Sequence, residues 1–217
     1  MTELAPDLDA SAVPDGSNLL VVGPAMTGKR ELLYEVLAAD RSPSRATGLV
    51  TTRKPADQLA MGYREVHPGV HSLAIVDCVS HQQGLSSGQT TRKRRFVSSA
   101  GDLTGIGIAL TDFMRLFDDD PEVEAASIGM HTLSTLLMFA DVRRVFQFLH
   151  VLTGRVASTG FLGGFVLDTP VPDTSLGVLK QTFDGLVEVR EVEDTGAREY
   201  RVRGMPRTVG PRTWTAF

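Results

Sequence analysis

The chain has 217 residues, of which 42% are hydrophobic and 22% are charged, values that are typical of one folded domain. No apolar run reaches the roughly 18 residues of a membrane helix, and the acidic, Pro- and Ala-rich N-terminus does not resemble a secretory signal. We therefore expect a cytoplasmic protein without membrane contacts. The net charge of −4 argues against general nucleic-acid affinity, and the single cysteine, Cys78, excludes an internal disulfide and a multi-cysteine zinc site.

Apolar runs alternate with a helical pattern in the first part of the chain. Residues 18–22, 46–52 and 72–77 are short apolar runs between polar residues, which predicts three buried strands. Residues 31–39 (ELLYEVLAA) place their leucines and valine at helical spacing, and RSPSR ends that helix. The segment RKPAD ends the second strand.

The central part begins with residues 82–101, which are rich in Gly, Ser, Gln and Thr and predict a long mobile loop. Residues 102–117 predict a helix with Asp102 as its N-cap. Residues 126–139 combine a strand with a turn or a short helix. A helical pattern starts again at Asp141, and Gly154 is the predicted stop.

The last part predicts a fifth strand at 163–168, a short helix capped by Asp173, and a hairpin that turns at Glu193–Gly196. Strands that alternate with helices indicate a mostly parallel sheet with right-handed crossovers. The sequence thus predicts an α/β fold with a mostly parallel central sheet, flanking helices and a C-terminal antiparallel hairpin. We expect a disordered lead-in at 1–16, one domain at 17–207 and a C-terminal tail at 208–217.

The segment GPAMTGKR directly follows the first predicted strand and precedes the first helix. Successive backbone N–H groups and the positive helix end would form an anion cradle there. Gly23 and Gly28 permit the tight turn, and Lys29 would reach the β- and γ-phosphates of a nucleotide. The alternative interpretation is a Gly-rich turn with a solvated lysine. The candidate nucleotide-binding residues are Gly23, Pro24, Ala25, Met26, Thr27, Gly28, Lys29 and Arg30.

Two residues depart from the usual phosphate-binding loop. Met26 stands where many such loops have glycine, and Arg30 replaces the Ser or Thr whose hydroxyl binds Mg²⁺. Arginine suits phosphate oxygens, so we expect nucleotide binding to depend little on Mg²⁺. The alternative is that Arg30 points into solvent.

The loop, the order of helices and strands, and the ending FDGLVEVREVEDTGAREYRVRGMPR resemble the RecA/KaiC/RadA superfamily of ATPases. The segments DLTGIGIAL, STLLMFADVRRVFQFLHVLTGRV and GGFVLD resemble sequences of a KaiC-like family of unknown function from halophilic archaea. The resemblance covers about residues 17–207. It implies a RecA-like P-loop fold with ATP or another nucleotide as its ligand.

The same resemblance implies that this chain has lost the residues for ATP hydrolysis. Family members that hydrolyse ATP have a Glu just after the second strand, where this chain has Thr51-Thr52-Arg53-Lys54. The Walker B Asp of the family corresponds to His131, although Asp77 remains a second candidate because it also ends an apolar run. We therefore assign no catalytic residue and no metal ligand.

Three hypotheses follow from these residues. The first is a degenerate RecA/KaiC-like nucleotide-binding module with a regulatory or signalling role and little or no ATP hydrolysis. The second is a weak ATPase that acts in oligomers, and the third is an interaction module without a nucleotide. The corresponding partners are a nucleotide, a second copy of the chain or another protein. The basic run Thr91–Phe96 fits solvated charge better than single-stranded nucleic acid, and Trp214 and Phe217 either pack on the domain or contact a partner.

Overall fold

The computed structural model describes residues 5, 7–38, 44–82, 84 and 90–217. Within these residues, nine strands form one sheet and six α-helices flank it. The strands are β1 (Asn18–Pro24), β2 (Arg45–Thr51), β3 (Ser72–Asp77), β4 (Arg94–Phe96), β5 (Ala125–His131), β6 (Leu162–Thr169), β7 (Gly185–Glu191), β8 (Arg198–Arg203) and β9 (Thr215–Ala216). The helices are α1 (Lys29–Ala38), α2 (Ala56–Val66), α3 (Leu103–Asp118), α4 (Leu133–Phe139), α5 (Val142–Ser158) and α6 (Asp173–Lys180).

The strand order is β4-β3-β2-β5-β6-β1-β7-β8-β9. In this order, the first seven strands, from β4 across to β7, run parallel to one another. Strands β8 and β9 are antiparallel to their neighbours. This arrangement confirms the predicted α/β fold with its parallel centre and C-terminal antiparallel hairpin. Strand β1 lies between β6 and β7, so its carboxyl end opens at the edge where parallel α/β sheets bind ligands.

Two hydrophobic cores lie on opposite faces of the sheet. Helices α3, α4 and α5 pack on one face, and α1 and α2 pack on the other. The strands between these layers are buried on both sides, which explains why they have continuous apolar runs rather than alternating ones. No helix in the described ranges combines the length and the apolar character needed to cross a membrane.

Helix α2 is absent from the sequence prediction. Its buried residues Ala56, Leu59, Ala60 and Tyr63 do follow helical spacing, but the preceding Pro55 suggested only the end of a strand. Pro55 instead occupies the N-cap position. The missed helix shows that a proline can start a helix as well as end one.

The boundaries of two other helices also differ from the prediction. Helix α5 continues through Gly154 and ends at Ser158. A side chain at Gly154 would meet nothing within 4 Å, so this glycine lies on an open helix surface and does not end the helix. The N-cap of α6 is Pro172, and Asp173 is its first residue rather than its cap. Asp102 is confirmed as the N-cap of α3, since its side chain accepts a hydrogen bond from the Gly105 amide at 2.8 Å.

The residues predicted as a lead-in are partly built into the fold. Residues 7–16 include a 3-10 turn at Ala10–Ala12, and Leu8 and Val13 pack against the core on the α1 side. The amide of Asp9 donates to the carbonyl of the buried Val209, 2.9 Å away. Residues 8–13 therefore contact the domain, while residues 1–4 and 6 lie outside the described residues. The domain limits at 17 and 207 stay predictions.

The C-terminal residues pack on their own domain. Strand β9 pairs with β8, and the ring of Trp214 lies between the guanidinium groups of Arg190 and Arg201, each 4.3 Å from its centroid. The ring of Phe217 meets Tyr200 edge-on with the centroids 5.4 Å apart. Of the two alternatives for these aromatic side chains, the structure shows packing on the domain.

The predicted loop at 82–101 contains the edge strand β4, and residues 83 and 85–89 lie outside the described part. Two arginines of its basic run have acidic partners. Arg94 lies 2.6 Å from Asp57, and Arg95 lies 3.6 Å from Asp112. Much of the positive charge of the run is therefore paired within the domain.

Candidate functional site

The loop between β1 and α1 has the predicted strand–loop–helix arrangement. Strand β1 ends at Pro24, and α1 begins at Lys29. Met26 (φ 64°) and Gly28 (φ 82°) both adopt the left-handed conformation, which turns the chain sharply between the two elements. The positive end of α1 consequently faces the carboxyl edge of the sheet, where it favours an anion.

Gly23 has a structural role that the motif alone does not show. A side chain at this position would lie 2.4 Å from the carbonyl oxygen of Val189, which belongs to the adjacent strand β7. Because that contact is with backbone, it cannot be relieved by a side-chain rotation. We expect Gly23→Ala to lower the free energy of unfolding by about 3 kcal/mol, measured by urea denaturation. The control is Gly154→Ala, which meets open space on a helix and should stabilise by up to about 1 kcal/mol. Equal stabilities of the two variants would contradict this role.

Lys29 is buried at the base of the loop, with 3% of its side chain exposed. Its Nζ lies 3.0 Å from Oδ1 of Asp168 and donates to the carbonyl of Pro24. Burial lowers the pKa of Lys29, and the hydrogen bond and charge of Asp168 act in the opposite direction. Asp168 belongs to β6 and lies beside Gly23 in the register with β1. The lysine of the loop is therefore held by a carboxylate from the next strand.

A pocket of about 460 Å³ opens above this ion pair. Five cationic and two acidic side chains line it, which leaves a formal charge of +3. The seven charged residues are Lys29, Arg30, Glu31, Arg53, Lys54, Asp168 and Arg198. Such an excess of positive charge around a helix N-terminus favours a polyphosphate.

The arginines have different partners. Arg30 lines the pocket but donates to the side chain of its neighbour Glu31, so it is neither fully free for a phosphate nor directed only into solvent. Arg53 follows β2 and lies 3.7 Å from Asp168. Arg198 comes from β8, and its Nη1 would lie 3.4 Å from a side chain added at Gly28. Residues far apart in sequence thus meet at the loop between β1 and α1.

His131 ends β5, which lies between β2 and β6. It lines the same pocket, and burial lowers its pKa to about 4. The imidazole is therefore neutral near pH 7 and offers no carboxylate oxygen, the ligand that Mg²⁺ prefers. The neighbouring Thr52 bridges the strand ends, because its hydroxyl accepts from the Thr132 amide at 3.0 Å and donates to the His131 carbonyl.

The low pKa of His131 predicts a dependence of stability on pH. The unfolded chain binds a proton near pH 6.5, whereas the folded protein binds it only near pH 4. Between these values the unfolded state carries more protons, so stability falls as the pH falls through this window. We expect the wild type to lose about 2 kcal/mol more than His131→Gln between neutral pH and pH 4, measured by urea denaturation. Identical pH profiles for the two proteins would contradict the burial of this imidazole.

Asp77, the second candidate for the Walker B position, lies outside this pocket. Three strands separate β3 from β1, and the carboxylate of Asp77 accepts hydrogen bonds from the amides of Ala56, Val79 and Ser80 and from the Ser80 hydroxyl at 2.7–2.9 Å. Burial alone would raise the pKa of Asp77, but these bonds outweigh it and hold the pKa below its usual value. Asp77 therefore ties the start of α2 to the end of β3.

Of the seven charged residues of the pocket, the sequence predicted only Lys29 and Arg30 as site residues, and it gave no role at all to Asp168 and Arg198. Asp168 is the last residue of the predicted strand 163–168, and its position at a carboxyl strand end is a signal that could have found it. No sequence pattern marks Arg198 as a pocket residue, because only the pairing of β7 with β8 brings it to the loop. The ring of Phe217 also approaches Gly28, where an added side chain would lie 3.3 Å from it.

A cluster with ligand-like side chains lies at the opposite edge of the sheet. His71, Asp120 and Glu122 place one ligand atom each within 4.8 Å of the others. His71 Nε2 lies 3.4 Å from Asp120 and 3.9 Å from Glu122, which are distances of a surface ion pair. The cluster is remote from the β1–α1 loop because His71 precedes β3, at the amino ends of the strands.

Comparison with solved structures identifies the class of fold. A KaiC-like protein from the hyperthermophilic archaeon Pyrococcus horikoshii superposes with a TM-score of 0.65, covering 100% of this chain and 93% of that one. The two sequences are 15% identical, so the match shows the fold alone, and the fold is that of a KaiC-like RecA module. The chain belongs to a family of unknown function, DUF7504, whose sequence profile matches residues 16–189. No curated protein matches it.

Proposed function

We propose that this protein is a RecA/KaiC-like module that binds the phosphates of ATP or another nucleotide and retains the nucleotide with little or no hydrolysis. One observation carries the proposal. The loop lysine, Lys29, lies at the base of a pocket with an excess of three positive charges, yet both positions expected to hold catalytic acids lack them. Those positions are His131 and the segment 51–54.

The pocket supports phosphate binding through several groups. The amides at the start of α1 and the side chain of Lys29 would hold the terminal phosphates. Arg53 and Lys54 approach from the end of β2, and Arg198 approaches from β8. These cations surround the position above the loop, and their planar or flexible donor groups suit phosphate oxygens.

The residues of the same pocket also support the proposal that a bound nucleotide is hydrolysed slowly or not at all. Phosphoryl transfer depends on Mg²⁺, on a group that orients the attacking nucleophile and on charge stabilisation. Here the hydroxyl ligand is replaced by Arg30 and the Walker B carboxylate by a neutral imidazole. Residues 51–54 contain no acid that could orient water. A nucleotide that stays bound without turnover suits a regulatory or signalling component, which is the role that we propose.

Calorimetric titration with ATP, ADP and GTP tests the binding step. We expect at least one of these nucleotides to bind, and Lys29→Ala to weaken the affinity about 100-fold, a change of about 2.7 kcal/mol. Lys180→Ala on α6 is the matched control, because Lys180 does not line the pocket. Phosphate release by the wild type with Mg²⁺ is expected at the background rate, at both low and high protein concentration.

Two outcomes would replace this proposal. Robust turnover that Lys29→Ala abolishes would establish the oligomeric ATPase instead. If none of the three nucleotides binds, the P-loop is a structural remnant and the interaction module takes its place.

A further inference from the structure

A groove between α3 and α5 is larger than the P-loop pocket, with a volume of about 610 Å³. Its lining residues recur at intervals of three and four along 104–115 of α3 and along 144–155 of α5. Both helices therefore present one continuous stripe over three turns, which corresponds to a length of about 16 Å. The groove lies on a helical face of the sheet rather than at its carboxyl edge.

The floor of the groove is apolar and exposed. Ile108 on α3 and Val151 on α5 are each 60% exposed. Phe148 also lines the groove, and its ring lies at contact distance, 3.6 Å, from the position of a side chain added at Gly107. Branched aliphatic side chains that face water on both walls of one groove indicate a surface that a partner covers.

The rim of the groove is positively charged. Arg115, Arg144 and Arg155 line it, and all three are exposed. In the described part of the chain, no carboxylate lies within 4 Å of these three guanidinium groups. The single acid of the lining, Asp112, is paired with Arg95 at 3.6 Å. This concentration of positive charge contrasts with the net charge of −4 of the whole chain.

We propose that the groove binds an amphipathic α-helix of another protein, with an apolar stripe along one face and acidic side chains beside it. The apolar floor would bury the stripe, and the three rim arginines would pair with the acids. The three-turn length of the groove fits a helix of about 11 residues. This site is independent of the nucleotide, since no residue lines both the groove and the P-loop pocket in the described ranges.

A second copy of this chain is a poorer occupant. Among the described helices outside the groove, the large exposed apolar side chains are Met61 on α2, Met138 and Phe139 at the end of α4, and Val178 on α6. None of these helices presents an apolar stripe three turns long that could fill the floor of the groove. Charge complementarity and stripe length therefore favour a different protein.

Two labelled synthetic peptides of about 18 residues test the proposal. Both have leucines at i, i+3, i+4 and i+7 positions, with Glu beside the stripe in one peptide and Lys in the other. We expect fluorescence anisotropy to show that the Glu peptide binds at least tenfold more tightly, a difference of about 1.4 kcal/mol. Val151→Asp should abolish binding, and the triple variant R115E/R144E/R155E should reverse the preference. Met61→Asp is the matched surface control and should leave binding unchanged.

Several results would overturn the assignment. Equal affinities for the two peptides would remove the role of the rim arginines, and no binding of either peptide up to about 1 mM would remove the groove as a helix site. A change of oligomeric state in Val151→Asp, seen by sedimentation, would assign the groove to a second copy. Circular dichroism of each variant separates these results from a loss of folding.

Discussion

ATP is expected to raise the melting temperature of the wild-type protein nearly as much in EDTA as in Mg²⁺. Arg53, Lys54 and Arg198 already supply positive charge around the phosphate position, while neither Arg30 nor the neutral His131 offers an oxygen ligand for the metal. ATP at a hundred times its dissociation constant stabilises a protein by about 2.7 kcal/mol. For a chain of this length, that corresponds to a rise of roughly 5–10 °C in a thermal-shift measurement.

A variant that regains both oxygen ligands for Mg²⁺ is the matched test of this expectation. Arg30→Thr alone restores the hydroxyl that the loop lacks, but the neutral His131 also lines the pocket and offers no carboxylate. We therefore expect the double variant R30T/H131D to be stabilised by ATP several-fold more with Mg²⁺ than without it. A wild-type shift that appears only with Mg²⁺ would contradict the charge argument. If ATP produces no shift under either condition, the phosphate site itself is absent.

Replacing Asp168 by Asn should tighten the binding of ATP and of inorganic pyrophosphate. The Asp168 carboxylate lies 3.0 Å from the Lys29 ammonium, so a phosphate that approaches Lys29 must compete with this carboxylate and also experiences its repulsion. A unit charge about 5 Å away interacts by about 3 kcal/mol at an effective dielectric constant of 20. Allowing for screening, we expect a gain in affinity of about tenfold, measured by calorimetry.

The same substitution should make the unliganded protein less stable. Lys29 is 3% exposed, and removing the charged partner of a buried ion pair costs about 3 kcal/mol. Tighter ligand binding together with lower unliganded stability is the combination that identifies Asp168 as a competitor for Lys29. Weaker ATP binding by Asp168→Asn would instead show that Asp168 holds the nucleotide or its metal, which would favour the ATPase hypothesis.

The parallel centre of the sheet was predictable because most of its strands contain short apolar runs. Residues 18–22, 72–77 and 163–168 needed no partner information, since burial on both faces removes the alternation that would obscure them. Helix α2 was missed because Pro55 was interpreted only as a stop. Its apolar spacing is visible in the sequence, and the proline at its N-cap is compatible with a helix start.

The candidate site also has one part that the sequence predicted and one part that it did not. The segment 23–30 is contiguous, so its pattern was visible, and the structure gives it the expected strand–loop–helix shape. The pairing of Lys29 with Asp168 and the approach of Arg198 depend on strand order and hairpin register. Those contacts are tertiary properties that no local pattern encodes, although the position of Asp168 at the end of a predicted strand marks it as a residue of the carboxyl edge.

The chain has one tryptophan, and its position makes the unmodified protein its own optical probe. Trp214 lies between two guanidinium groups of the β7–β8 hairpin, and β8 also contributes Arg198 to the P-loop pocket. Detachment of the C-terminal segment would expose the indole to water and shift its emission to longer wavelength, while the helices kept their circular dichroism. Emission and ellipticity recorded on the same sample would therefore separate fraying at this edge of the sheet from global unfolding.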